Sequence, residues 1–311
     1  MSIQMPKLNS QSTIGQTPQL VFVTDRGYLK PTLFTLWSAL NHFSGPVIVH
    51  FWGDQLTEND WSEVKRVAQA SPLVTLNCLA LTDEDIGGRK QNDTRLTAAM
   101  LGRLRIAEKL SGRILYIDGD THVRGDLAPL FSIDLNGHLI GAVRDFVVAK
   151  WAALDLTVTK KHSQRIAALQ KLLGQNDISK YFNSGVLLID TDAIRAEPNV
   201  YEAMRNVTAA NNYELADQDH LNKVFNGRTL MLNPAFNSSW SRTRRQRNNS
   251  LSLGGSLDEC TSSPDCIVHF HGTPKPWIKA RKDIWKARGR AVWRYRRAQK
   301  EFQRIFPDIK F

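Results

Sequence analysis

Four apolar runs of strand length, each separated from the next by a stretch with helical spacing, constrain this chain more than any other feature. QLVFVTD, PVIVHFW, LVTLNCL and RILYID are the runs. After the first, Pro31 stands near a helix start and Leu33, Leu36, Trp37 and Leu40 recur at helical spacing. After the second, Thr57-Glu58-Asn59-Asp60 has the character of a helix start, continued by Trp61, Val64 and Ala68. A third helix is expected from about Thr97 to Leu110. Alternation of this kind predicts an α/β fold, a Rossmann-like and mostly parallel sheet with flanking helices. Such a sheet binds ligands beyond the carboxyl ends of its strands. Asp25 and Asp118 close two of the runs, so both are expected there.

The second half is less regular. LIGAV, SGVLLID and CIVHF read as strands, with a helix between about Ser163 and Leu173. A shorter helix from Ala216 to Phe225 is stopped by Asn226-Gly227. The polar stretch SRTRRQRNNSLSLGGSLDECTSSPD, with its Gly and Ser clusters, is expected to be a long excursion or lid.

With 42% hydrophobic and 9% aromatic residues, the 311-residue chain can bury a large core, which excludes disorder as its main state. No run of about 18 apolar residues is present to span a bilayer. The polar start, MSIQMPKLNSQSTIGQTPQL, has no apolar core of the kind a secretory signal carries. Cys78, Cys260 and Cys266 are too few for a disulfide framework. A cytoplasmic location is expected.

Charge is unevenly placed. Of the net +11, +9 falls on residues 278–311, where twelve Lys and Arg face Asp283, Glu301 and Asp308. The expected organisation is a polar leader over 1–18, a catalytic body over 19–277 and a basic amphipathic tail over 278–311. In the tail, Trp285, Val292, Tyr295, Phe302 and Phe306 fall on one helical face with Ala298, and the other positions are mostly cationic. That pattern suits a helix lying on an anionic membrane surface, with packing against the body as the alternative. Nucleic acid is not an expected partner, because no recognised module accompanies the basic stretch.

ILYIDGDTHV sets Asp118 and Asp120 two residues apart where a buried strand opens into a loop, with Gly119 allowing close approach of backbone and ligand. Hard divalent cations take oxygen ligands and share their coordination with substrate phosphates. CIVHFHGTPKPW places His269, Gly272 and Lys275 just past another strand. Histidine can complete a metal shell, glycine admits a phosphate close to the backbone, and lysine neutralises it. Together the two segments point to a nucleotide and metal site. Arg242, Arg244, Arg245 and Arg247 form a charge run whose default is a solvated loop; the alternative is a clamp on a phosphorylated acceptor. His50, His122, His162 and His220 are expected to be structural or surface residues.

Five ordered segments, VTDRGYL, LGRLRIAEKLSGRILYIDGDTHVRGDLAPLF, YFNSGVLLID, LADQDHLNKVFNGR and HFHGTPKPW, resemble glycosyltransferase family 8 over roughly Leu20 to Trp277. That family includes bacterial lipopolysaccharide glucosyl- and galactosyltransferases and the glycogenins. The resemblance implies a GT-A fold, Mn2+ (or Mg2+), UDP-glucose or UDP-galactose as donor, and transfer with retention. It implies Asp118, Asp120 and His269 as metal ligands. Asp25 and Tyr28 match positions that hold the uridine, with Val23 and Thr24 near the base. Arg103, Gly119, Asp145 and Asn183 match donor contacts, Gly272 and Lys275 the diphosphate grip, and Asp217 and Gln218 the catalytic pair. The family start often reads Asp-Asp-Asn-Tyr, whereas this chain has Asp25-Arg26-Gly27-Tyr28.

The expected function is hexose transfer to a lipopolysaccharide or other envelope glycan at the inner face of the cytoplasmic membrane. A protein or polyol acceptor, as in glycogenin- or galactinol-synthase-like enzymes, and a non-catalytic nucleotide-sugar-binding protein are the alternatives.

Overall fold

The computed structural model describes residues 17–43, 45–87, 98–154, 160–175, 177–279 and 281–311. Most of the polar leader and Thr97 lie outside the described residues. A seven-stranded sheet is built from β1 (Gln19–Asp25), β2 (Val47–Asp54), β3 (Val74–Ala80), β4 (Arg113–Ile117), β6 (Ile140–Arg144), β7 (Phe182–Asp190) and β8 (Thr229–Met231). A second sheet holds three short strands, β5 (Thr121–Val123), β9 (Ser238–Ser239) and β10 (Ile267–His269). The large sheet runs β3-β2-β1-β4-β7-β6-β8. All pairings among β3, β2, β1 and β4 are parallel, as is β6 with β8, and only β7 runs antiparallel to its neighbours β4 and β6.

That reversal matters for function. β7 pairs Val186 with Ile117, so its first residues, Phe182 to Gly185, arrive beside the carboxyl end of β4. A strand running the other way would have sent them to the far edge of the sheet. The ends of β1, β4 and β6 and the start of β7 therefore meet at one edge.

Side chains of successive strand residues point to opposite faces, and the core divides accordingly. Leu20 and Phe22 of β1 join Leu115 and Ile117 of β4 on one face, while Val21 and Tyr116 join the other. The first face is covered by helix α1 (Leu29–Leu40) and the small sheet, the second by the segment from Leu101 to Ala107 together with Ile194, Leu221 and Phe225. Helix α2 (Glu58–Ala68) opens with the expected signal, Thr57 and Asp60 capping one another. The remaining long helices are α3 (Phe146–Ala153), α4 (Lys160–Leu173), α5 (Ala216–Val224), α6 (Thr243–Ser252) and α7 (Ala287–Ile305).

Two expectations are corrected here. The polar excursion is not an open lid, because α6 and the short helix Leu257–Cys260 are tied down by buried polar contacts. Gln246 accepts from Ser239 N–H (2.8 Å) and donates to Asn237 O (3.1 Å). Glu259 receives Arg144 at 2.6 and 3.1 Å in a pair with both side chains buried. Hydrogen bonds supply the anchoring that apolar burial would elsewhere.

The second correction concerns the tail stripe, which faces inward. Val292, Tyr295, Phe302 and Phe306 are all buried in the same core cluster as α1. Phe34 meets Tyr295 at 4.5 Å and Trp37 meets Phe302 at 5.6 Å between ring centroids. The reason lies in α1, which has Lys30 as its one charged residue and is apolar on both sides. Its outer face must be covered, and α7 covers it. Trp285 lies before the helix and is exposed. No helix among the described residues is long and apolar enough to cross a membrane.

Candidate active site

At the shared strand edge, a cleft of about 680 Å3 is lined by Arg103, Asp118, Asp120, Asn183, Ser184, Asp217, Gln218, His269, His271 and Gly272, among others. Five separate stretches of chain supply them. The strand-end expectation for Asp118 and Asp120 holds, with β4 ending at Ile117 and β5 starting at Thr121. Gly119 between them is required for a spatial reason: a Cβ there would lie 2.1 Å from Thr32 Oγ1.

His269 ends β10 and reaches back over this loop. Its Nε2 is 3.1 Å from Asp120 Oδ1 and 3.8 Å from Asp118 Oδ2. One ligand atom from each of the three residues lies within 4.8 Å of the others. Asn183 Oδ1 accepts from Gly185 N–H (3.1 Å) and from the Asn237 amide (2.9 Å), which turns Asn237 Oδ1 to accept from His269 Nδ1 (3.0 Å). Held through Nδ1, the ring turns its Nε2 toward the two acids, where a cation between them would take it as a ligand. Two carboxylates and an imidazole form a hard, mixed oxygen and nitrogen donor set that fits a divalent cation such as Mn2+.

Burial alone would raise the Asp120 pKa. His269 and Lys275 overcome this and hold the carboxyl well below the ordinary carboxylate range. Lys275 Nζ is 2.5 Å from Asp120 Oδ2, and Asp120 and Tyr28 keep it an ammonium against the desolvation penalty. Tyr28 in turn packs edge-on against Trp277 at 5.9 Å, and its N–H is capped by Asp25 Oδ1 at 2.8 Å. Asp25, Tyr28 and Lys275 thus form one rim of the cleft. Thr24 is fully buried and Val23 belongs to the core, so both support the rim from beneath rather than line the cleft.

Arg103 organises the floor. Its Nη2 lies 2.9 Å from Asp118 Oδ1, its Nη1 donates to Ser184 O at 2.8 Å, and its plane stacks 4.6 Å from the Tyr116 ring centroid. Tyr116 OH donates to the same Asp118 oxygen at 2.5 Å. Arg103 Nε is 3.0 Å from Asp217 Oδ2, yet that oxygen receives no aligned hydrogen bond, because the Nε proton points to Met100 O. Desolvation lifts Asp217 to a pKa of about 6, opposed by Arg103 and aided by Asp118. Asp217 and Gln218 occupy the first turn of α5, as expected. Gln218 Oε1 accepts from Asn183 Nδ2 (3.1 Å) and Ser184 N–H (3.2 Å). Asp145 caps α3 by accepting from Val147 and Val148 N–H, and its other oxygen meets the Asn183 amide at 3.4 Å.

Sequence reasoning passed over Asn237, Tyr116, Ser184, Gly185 and His271. His271 carries a signal in the HFH pattern, since alternate strand residues share a face. Asn237 carries none, because its role exists only once β9 lies beside β10. His50, His122 and His220 sit in the body, bonded to Gln19, packed on Phe34 and bonded to Ala203 O respectively. The three cysteines are unpaired.

A family model described as glycosyl transferase family 8 matches residues 19–280. General stress protein A of Bacillus subtilis (strain 168) is 28% identical over 192 residues, 59% of this chain and 60% of its own length. A lipopolysaccharide 1,2-glucosyltransferase of Escherichia coli (strain K12) is 26% identical over 170 residues, 54% of this chain and 44% of that protein. The chain therefore spans only part of these curated relatives. Among solved structures, the galactosyltransferase LgtC, in complex with donor and acceptor sugar analogues, superposes with a TM-score of 0.68 at 21% identity, covering 91% of this chain and 95% of that one. The likeness establishes the GT-A architecture, an α/β fold with a mostly parallel sheet.

Proposed function

The chain belongs to glycosyltransferase family 8, and from that premise we propose that it moves a hexose, glucose or galactose, from a UDP-sugar to a saccharide acceptor with retention of configuration. The observation that carries this reading is the convergence of Asp118, Asp120 and His269 within 4.8 Å, with Lys275 on Asp120. A donor diphosphate brings negative charge, and this corner combines anionic cation ligands with a fixed ammonium beside them. Asp118, Asp120 and His269 would hold Mn2+ or Mg2+, which when bound supplies Lewis-acid stabilisation of a leaving diphosphate. Lys275 would add a point charge on the same oxygens.

In the transfer, the bond from the anomeric carbon to the diphosphate oxygen breaks and a bond to the acceptor oxygen forms. The acceptor proton passes to the departing diphosphate. Front-face departure and attack is favoured because neither Asp217 nor Gln218, the two nucleophile candidates, is free. Gln218 Oε1 is engaged by two donors, and Asp217 is 1% exposed behind Arg103. Asp145 already caps a helix and meets Asn183, which suits a role in orienting sugar hydroxyls. The Asp25–Tyr28 rim, supported from beneath by Val23 and Thr24, would take the uridine.

The acceptor proposed is a lipopolysaccharide or related envelope glycan on the cytoplasmic side of the membrane. With the aromatic stripe buried, attachment would use the outer side of 278–311, where Ile278, Ile284, Trp285 and Trp293 are exposed among cations. A panel of nucleotide sugars, assayed for UDP release with and without glycan acceptors, tests the reading. Acceptor-stimulated release from UDP-glucose or UDP-galactose is expected, with an α-linked product by proton NMR. A β-linked product, or binding of UDP-sugars without turnover, would overturn it.

A further inference from the structure

Beside the cleft, behind His271, Arg242 and Arg288 gather around Ser239 and Trp240. His271 lines the cleft, and its Nε2 lies 2.6 Å from Ser239 Oγ, which Arg242 Nη2 meets at 2.5 Å. The Arg242 guanidinium lies 3.7 Å from the ring centroid of Phe146, the residue after Asp145. Arg288 stacks 4.4 Å from the Trp240 centroid, and its buried Nε has no hydrogen-bond partner. Arg245 lies within the same field, one turn along from Arg242.

No carboxylate pairs with Arg242, Arg245 or Arg288 among the described residues. Asp283 is held by both arms of Arg281, at 2.9 and 2.7 Å. Asp265 takes the hydroxyls of Ser238, Ser241 and Thr243 and faces Arg124. Asp145 is committed to its helix cap. Burial, reinforced by the charges of Arg288 and Arg245, pushes Arg242 down to about 10. The turn leading into Arg242 is strained as well: Trp240 and Ser241 are consecutive non-glycine residues at φ 52° and 58°. Arg242, at the end of this turn, and Arg288 are half-buried without a carboxylate partner, and such costs persist where a ligand offsets them.

Building on the transferase reading, we propose that Arg242, Arg245 and Arg288 bind a phosphomonoester carried by the acceptor saccharide. Guanidinium groups match phosphate oxygens with parallel N–H donors, which lysine cannot do. On the transferase reading, Lys275 and the cation ligands would serve the donor phosphates, which leaves this group for the acceptor. An acceptor phosphate held here would place its sugar beside Asp145 and His271.

Calorimetric titration of glucose 6-phosphate and of glucose onto the full chain, saturated with UDP and magnesium, tests the proposal. Glucose 6-phosphate should bind at least about tenfold tighter than glucose, and more weakly as salt rises. Arg288→Gln and Arg245→Gln should each weaken it roughly tenfold. Equal binding of the two sugars, or full affinity in both arginine variants, would overturn the proposal. Failure of the chain to take up UDP would refute the donor reading instead, while an Arg288-dependent preference for glucose 6-phosphate would still stand.

Discussion

Replacing Gly185 by alanine places a methyl group where the proposed metal ligands Asp118 and His269 meet. Gly185 lies within β7 and its backbone tolerates a side chain, so the consequence is one of space. Its Cβ would stand 2.3 Å from His269 Cε1, 2.7 Å from His269 Nδ1 and 2.7 Å from Asp118 Oδ2. Ordinary carbon contacts lie at about 3.5–4.0 Å, so the imidazole or the carboxylate must retreat by roughly an ångström. The imidazole cannot do so freely, because Asn237 grips Nδ1 and the ring is 3% exposed. Metal sites tolerate ligand shifts of only about 0.2 Å, so manganese affinity should fall by about a hundredfold or more. The fold should lose only about 1–3 kcal/mol, the usual cost of overfilling a packed site. Manganese titration followed by electron paramagnetic resonance measures the first quantity and urea unfolding the second. Gly141→Ala, whose Cβ would press on Leu232 at 3.1 Å away from the cleft, is the control for overpacking alone. A Gly185→Ala protein that binds manganese as tightly as the parent would refute the assignment of Asp118 and His269 to one cation.

Three further outcomes are expected. Lys275→Ala should weaken UDP by roughly ten- to a hundredfold, the worth of a charge-assisted hydrogen bond, and leave uridine unaffected; equal losses for both would make the lysine structural. Asp217, raised from 3.8 to about 6, is protonated in the folded state where the unfolded chain has already ionised, so its contribution is full below about pH 4 and lost as pH rises through 6. In the metal-free protein, Asp217→Asn should therefore gain on the parent across that window, levelling near 3 kcal/mol by urea unfolding, and parallel curves would contradict the burial argument. Tyr295→Ala should cost about 3–5 kcal/mol because the ring is fully buried against Phe34 and Phe270, whereas Trp285→Ser should leave stability unchanged and weaken sedimentation with anionic vesicles at low salt. A stable Tyr295→Ala chain would mean the tail is not core.

Much of the site is visible in sequence because its residues lie at ends of elements that have strong local signals. Apolar runs fix β1 and β4, and the acids that follow them are thereby placed. The antiparallel course of β7 is not visible, since SGVLLID has the same apolar pattern whichever way it runs, and so Gly185 could not be seen to face His269. The tail failed for a different reason. Its stripe and cationic face describe an amphipathic helix equally well on a membrane or on a protein, and what decides is α1, whose Phe34 and Trp37 need cover. The polar excursion misled because Gln246 and Glu259 anchor it through partners distant in sequence, Ser239 and Arg144.

The claim on which the account turns is that Asp118, Asp120 and His269 hold a divalent cation that serves a UDP-sugar. Its most direct test is UDP release from the preferred donor after chelation and after readdition of manganese, in the parent chain and in Asp120→Ala. Turnover should vanish with chelator, return with manganese in the parent, and stay absent in Asp120→Ala at any manganese concentration while the variant remains folded. Turnover that survives chelation, or an Asp120→Ala chain as active as the parent, would contradict it.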